Sequence, residues 1–161
     1  MLLIMETYSN RWEIRAPSGA SEWARMLDLR WRVLRQPWNQ PRGSEGDALD
    51  ATAVHRIAVV VDGGVVGTGR LQLNSAEEAQ VRYMAVAERW RNRGVGGTIL
   101  AALEAEAGRL GARRVVLNAR AEAIAFYRRH GYRSVAPGAL LFGAIPHEVM
   151  AKELQEVKSA E

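Results

Sequence analysis

The sequence predicts an α+β fold, a mixed α/β sandwich in which a central mixed sheet carries helices on both faces. Three observations predict it. Only one stretch, residues 81–117, has the strand, turn, helix, strand order of a parallel crossover. The other strand-like runs are joined by tight turns and favour hairpins, most clearly around Asp62-Gly63-Gly64. And 161 residues, 48% hydrophobic and 25% charged, suit a single domain, 1–161, with a sizeable core.

The elements follow in order. Residues 10–16 read as a short first strand with Trp12, Ile14 and Ala16 alternating, broken by Pro17-Ser18-Gly19. Ser21 is the expected N-cap of a helix over 22–35, with Trp23, Leu27, Arg30/Trp31 and Leu34 on one face and Pro37 ending it. Residues 36–53, rich in Pro, Gly, Ser and Asp, read as an irregular loop with room for a helical turn. Residues 54–61 and 65–73 form the hairpin, and 79–86 the next strand. A loop over 87–93 precedes a helix over 98–110, which Gly111 stops. Val115 to Leu117 is a continuous apolar run, as a buried parallel strand requires. A helix over 121–130 follows, then strands at 132–135 and 148–154 around a loop at 137–146. The tail after Leu154 is polar and is expected to fray.

Composition narrows the chemistry. With no cysteine, disulfides, thiolate metal sites and a cysteine nucleophile are excluded, and a reducing cytoplasm fits. Met1 to Ile4 is too short, and lacks the basic flank, for a signal peptide, and no apolar run approaches the ~20 residues of a membrane span. The net charge of +4 comes almost wholly from arginine. Those arginines are dispersed, with no basic tail or readout motif, which argues against nucleic acid and for a polyanionic small cofactor.

The most informative stretch is Arg91-Asn92-Arg93-Gly94-Val95-Gly96-Gly97, between the strand at 79–86 and the following helix. Helix N-termini carry unpaired N–H donors and partial positive charge, and glycine lets a backbone approach an anion closely. Two arginines add forked donors suited to phosphate. The simplest target is a cofactor pyrophosphate. The pattern Arg-x-x-Gly-x-Gly is neither a P-loop nor a dinucleotide fingerprint.

Downstream come Asn118 at the end of a strand, Ala123-x-x-Phe126-Tyr127 on a helix, then His130-Gly131-Tyr132. Taken together, the unit from about Val81 to Tyr132 resembles the GNAT superfamily of N-acetyltransferases. The likeness extends more weakly through Ile145-Pro146-His147 to Leu154. The segment from Leu29 to Trp38 is similar to the first helix of one GNAT branch, with Trp31 and Trp38 as candidates to line an acceptor pocket.

The resemblance implies the GNAT fold, acetyl-CoA as co-substrate, no metal, and acetyl transfer to an amine of a small molecule or peptide by direct attack in a ternary complex. A homodimer through the last strands is common in the family. It also implies roles. The backbone of Arg91, Asn92, Arg93, Gly94, Val95, Gly96 and Gly97 would hold the pyrophosphate, with the arginine side chains on it or on the 3′-phosphate. Met84, Ala85 and Val86 would offer backbone groups to the pantetheine arm, one N–H near Val86 polarising the thioester carbonyl. Asn118 would reach the cofactor from its strand end, and Tyr127 would protonate the departing thiolate.

The general base stays open at this stage: a water chain, a carboxylate among Glu45, Asp47 and Asp50, or His147, whose imidazole suits proton pickup near neutral pH. Arg82 or Tyr83 on the cofactor strand is a candidate to face the acceptor. His55 and His130 read as structural, and Arg128 and Arg129 as a solvated helix face. The rival function is a non-catalytic acyl-CoA-binding sensor or regulator that keeps the loop without turnover.

Overall fold

The computed structural model describes residues 11–155. Asn10, expected to open the first strand, and the polar tail from residue 156 lie outside the described residues. A mixed sheet contains β1 (Trp12–Arg15), β2 (Val54–Val60), β3 (Val65–Leu73), β4 (Glu78–Val86), β5 (Arg114–Arg120), β6 (Arg133–Pro137) and β7 (His147–Glu153). Their order is β1-β2-β3-β4-β5-β7-β6. The helices are α1 (Gly19–Leu34), α2 (Val95–Arg109) and α3 (Ile124–Arg129), with 3-10 turns at Gln36–Trp38, Ala48–Ala51, Glu88–Trp90 and Ala121–Ala123. Pairing is parallel between β4 and β5, from Glu78↔Arg114 to Gln80↔Val116. It is antiparallel for β1 with β2, β5 with β7, and β6 with β7.

The chain divides into two compact units. The first holds 11–70 and Tyr83–Leu103, the second Leu71–Arg82 and 104–155. The divisions fall inside β3, β4 and α2, so three continuous elements belong to both.

In the first unit, α1 starts earlier than expected. Ser18, not Ser21, is its N-cap, and Glu22 accepts the Ser18 N–H at 2.8 Å. Gly19 takes φ +77°, a left-handed turn glycine adopts without steric cost, which brings the chain into the helix at this point. Arg15 forks onto the Glu22 carboxylate, fastening β1 to that first turn. The buried stripe is also displaced. Met26, Leu29 and Arg30 are fully covered; Met26 and Leu29 pack with Ile57, Val59, Val65 and Ala85, while Trp23, Leu27, Val33 and Leu34 flank that cluster. Trp31 stays near the surface, its indole N–H on Gln40 O at 3.1 Å and Arg42 stacked 4.0 Å over its ring.

β3 shows why its glycines are there. A Cβ on Gly67 would come within 2.6 Å of Val95 and 2.7 Å of Ile99; one on Gly69 would meet Met84 Sδ at 2.6 Å and Leu103 at 2.8 Å. The missing side chains let α2 lie directly on the strand. On the alternate positions, Thr68 and Arg70 are fully buried.

In the second unit, β5 is buried at Val115, Val116 and Leu117, as its apolar run predicts. Glu104 accepts from Tyr132 Oη at 2.8 Å and from Lys152 Nζ at 3.0 Å, so a helix carboxylate ties together Tyr132, just before β6, and β7. β6 is exposed along its length.

Candidate active site

The glycine-rich loop has the geometry an anion needs. Arg91 is extended, Asn92 and Gly94 take φ of +61° and +94°, and α2 begins at Val95. The sequence places that start at Thr98, three residues late. Gly96 and Gly97, read as turn residues, lie in the first helical turn, because the apolar face opens with Val95 (buried) and Ile99. The first-turn N–H groups, which helix geometry leaves without i−4 partners, are therefore those of Val95, Gly96 and Gly97. Arg91, Asn92 and Arg93 are exposed around them.

The loop is braced from β1. Trp12 Nε1 donates to Thr98 Oγ1 at 2.9 Å, and that hydroxyl lies 3.0 and 2.9 Å from the Gly94 and Val95 carbonyls. Trp12 meets Trp90 edge-on at 6.2 Å, and Arg93 lies 4.9 Å over the Trp90 ring. The donor set fits a diphosphate: a helix N-terminus, two left-handed loop residues and flanking guanidinium groups.

Immediately upstream on β4, Ala85 is buried while Met84 and Val86 are half-buried, and Ala87 N–H donates to Val66 O at 2.8 Å. These residues and the loop belong to the same unit.

The same unit holds a charged cluster that sequence reasoning missed. Arg70, fully buried, reaches Asp47 Oδ1 at 2.6 Å and Oδ2 at 3.1 Å, and Asp50 Oδ1 at 2.8 Å. Arg30, equally buried, reaches Asp50 Oδ1 at 3.0 Å and His55 Nδ1 at 3.0 Å. His55 Nε2 lies 2.8 Å from Asp50 O. A carbonyl only accepts, so Nε2 carries the proton and Nδ1 accepts from Arg30; the ring is neutral. Burial, with Arg30 nearby, holds the His55 pKa below its ordinary value.

The Arg70 hydrogen bonds draw Asp47 down to about 2. Burial would raise Asp50, but the hydrogen bonds from Arg70 and Arg30 outweigh it and leave it lowered. Asp47 and Asp50 are committed to these arginines and also cap the 3-10 turn at Ala48–Ala51 reciprocally. Neither is a free base. Glu45, the third carboxylate of that loop, accepts Gly43 N–H at 2.6 Å.

The signal that could have found the cluster was an arginine at a core-facing position in each of two apolar elements, with Asp-x-x-Asp in the loop. Tyr83 completes it. Arg30, Arg70 and Arg35 lie 4.5, 4.7 and 5.6 Å from its ring centre, and its hydroxyl donates to Asp47 Oδ2 at 3.2 Å.

The second unit carries the remaining expected residues. Asn118 is exposed within β5, opposite Val149, not at a turn. His147 pairs with Arg120 two register steps away, and its Nδ1 lies 3.0 Å from Ile145 O. The ring therefore donates through Nδ1, and when neutral it presents Nε2 as an acceptor. Tyr127 is buried on α3, edge-on to Phe126 at 5.1 Å and to Tyr132 at 5.7 Å. Burial pushes its phenol well above the ordinary tyrosine value. His130 Nδ1 lies 2.8 Å from Phe126 O at the helix end, a structural bond, and Arg128 and Arg129 are exposed. Among the described residues no group of His, Asp and Glu is arranged to hold a metal ion, and no helix is long and apolar enough to cross a membrane.

Comparison with known proteins gives a consistent picture. Residues 23–132 match the model of the acetyltransferase (GNAT) family. The chain is 36% identical over 126 residues to the uncharacterized N-acetyltransferase YjcF of Bacillus subtilis (strain 168), covering 78% of this chain and 88% of that one. Among solved structures it is similar to Escherichia coli ElaA, with a TM-score of 0.74 and 24% identity over 89% of this chain and 99% of that chain. It is also similar to a GNAT family acetyltransferase from Elizabethkingia anophelis with acetyl-CoA bound, with a TM-score of 0.69 and 15% identity over 89% and 98% of the two chains.

Proposed function

The chain belongs to the acetyltransferase (GNAT) family, and from that premise we propose that it moves the acetyl group of acetyl-CoA to a primary amine of a small molecule or peptide by direct attack in a ternary complex. The observation that carries this reading is the loop of Arg91 to Gly97, with its left-handed Asn92 and Gly94 feeding the start of α2. Its N–H groups bind the diphosphate, and Arg91 and Arg93 pair with phosphate oxygens.

Bound acetyl-CoA supplies an activated thioester carbonyl to which a neutral amine can add. The chain does the rest. Met84, Ala85 and Val86 orient the pantetheine arm through backbone groups, and the Val86 N–H hydrogen-bonds the carbonyl oxygen as negative charge grows there. Asn118 steadies the cofactor from its exposed position within β5. A C–N bond forms and the C–S bond breaks. His147, through Nε2, takes the proton the amine gives up, and Tyr127 donates its own to the departing sulfur. Burial keeps that phenol in its protonated form when the thioester binds. Asp47 and Asp50 take no part as bases. The two units act as one N-acetyltransferase domain, and a chain without cysteine suits the cytoplasm.

Calorimetric titration with acetyl-CoA, with desacetyl-CoA and NAD as comparison ligands, tests the reading. Micromolar binding of the two CoA forms alone is expected. Gly96→Val, which puts a branched side chain where the diphosphate approaches, is expected to weaken acetyl-CoA at least about tenfold. Equal affinity of Gly96→Val and the unaltered protein would remove the loop from the site.

A further inference from the structure

One residue of β1, far away in the chain, touches the loop from Arg91 to Gly97 at both of its ends. Trp12 meets Trp90 edge-on at 6.2 Å, just before the loop. Its indole N–H donates to Thr98 Oγ1 at 2.9 Å, just after it. Between these contacts the indole ring lies 3.9 Å from where a Gly94 Cβ would stand. A single side chain thus spans the loop.

The directions of the protons decide what this does. An indole nitrogen only donates, so the Thr98 oxygen accepts from Trp12 and its own proton goes elsewhere. The groups in range are the Gly94 and Val95 carbonyls, at 3.0 and 2.9 Å. Gly94 O also takes the Thr98 N–H at 3.1 Å, the first hydrogen bond of α2. These peptides are trans, and in a trans peptide the C=O and the following N–H share a plane and point opposite ways. Carbonyls of Gly94 and Val95 drawn toward Thr98 therefore turn the Val95 and Gly96 N–H groups outward from the helix end. Both are among the donors that helix geometry leaves without partners.

Cohesion alone gives little reason for this bond. Thr98 is exposed and Trp12 half-buried. Water can satisfy both groups there, so exchanging it for a side-chain bond adds little stability. What water does not supply is a fixed direction. Gly94, with φ +94°, and the two glycines after Val95 give this stretch of backbone wide freedom. Donors already aligned need no further ordering when an anion arrives.

Resting on the acetyl-CoA reading above, we infer that Trp12 is a positioning residue for the cofactor diphosphate. It acts through the Thr98 hydroxyl, which holds the Val95 and Gly96 N–H groups in line before the cofactor binds. A strand outside the strand-loop-helix unit thereby tunes the affinity of that unit.

Calorimetry with acetyl-CoA on the full chain tests this. Trp12→Phe keeps a ring beside Trp90 and Gly94 but removes the N–H. It is expected to weaken acetyl-CoA about fivefold, the size of one hydrogen bond. Thr98→Val removes the hydroxyl and should weaken it equally. The double variant should lose no more than either single one, because both break the same relay. Thr98→Ser restores the hydroxyl and should return the affinity to within about twofold of the unaltered protein. Unchanged affinity in Trp12→Phe, or losses that add in the double variant, would overturn the inference.

A second reading needs no variant to fold. In the unaltered protein the Trp12 indole N–H resonance should shift as acetyl-CoA saturates the loop, because an anion there polarises the peptide units that Thr98 holds. A resonance unmoved at saturation also overturns the inference. If the unaltered protein binds no acetyl-CoA, the acetyl-transfer reading itself fails and carries this inference with it. Tight binding that the variants do not disturb leaves that reading standing and removes only the role of Trp12.

Discussion

At the scale of single residues, two arginines, Arg30 and Arg70, have been placed inside the core. Arg30 falls among Trp23, Leu27 and Leu34 on a helix, and Arg70 lies between Gly69 and Leu71 in β3; helical spacing puts Arg30 on the apolar face without saying what meets it there. They are core, because Asp47 and Asp50 meet them there. Each of these pairs spans 20 or more residues, so the Asp-x-x-Asp of the loop does not by itself say which arginines it meets. Tyr127 sits on a helix that was legible for the opposite reason, since Phe126-Tyr127 and His130-Gly131-Tyr132 lie close together in the chain. Its burial sets a clear expectation. Tyr127→Phe should reduce turnover by about 10 to 10³-fold in a thiol-release assay and leave the acetyl-CoA dissociation constant within about twofold. Undiminished turnover would show that the sulfur obtains its proton elsewhere or that product release limits the rate.

At the scale of elements, the strand-loop-helix unit was visible because its signals are short-range: an apolar run, three close glycines, then helical spacing. Its boundary was misplaced by three residues because glycine is a weak helix former and reads as turn. Packing decided otherwise, since Val95 and Ile99 dock on the bare positions of β3. That docking makes β3 intolerant of side chains on one face. Gly69→Val should lower stability by about 1–3 kcal/mol, read from urea unfolding, as Met84, Leu103 and Ile99 are forced aside. Gly108, whose added Cβ meets nothing within 4 Å, serves as the comparison: Gly108→Ala in the same helix should be neutral or stabilising. Equal losses at the two sites would mean that α2 does not rest on β3 as closely as described. The N-cap at Ser18 was likewise hidden, since Ser21 is an equally good cap in isolation and only the Arg15–Glu22 pair favours the earlier start.

At the scale of the whole molecule, several ionisable groups have been shifted the same way. Asp47 and Glu22 are each held down to about 2, Asp50 and Asp28 are lowered, and His55 is lowered by burial. In every case the unfolded chain binds the proton more readily, so folding stability falls as the pH falls. The His55 contribution is complete above about 6.5, its unfolded value, and declines below it. The Asp47 and Glu22 contributions are complete above about 4 and are lost as the pH drops through about 2. Thermal midpoints should therefore fall in two stages between neutrality and pH 2, with Asp47→Asn flattening the lower stage. A midpoint constant from pH 7 to 3 would contradict the burial of His55 and the pairing of the aspartates. Because β3, β4 and α2 each belong to both compact units, the mixed sheet was legible only as an order of strands and not as a partition of the chain. The bond from Trp12 to Thr98 has one more consequence, in the timing of folding. It joins residues 86 apart. On a ribosome adding about 5–20 residues per second, Trp12 waits roughly 4–17 s for its partner to be made. This brace of the glycine-rich loop cannot form before then, and a nascent chain stalled before α2 holds an indole with nothing to fasten.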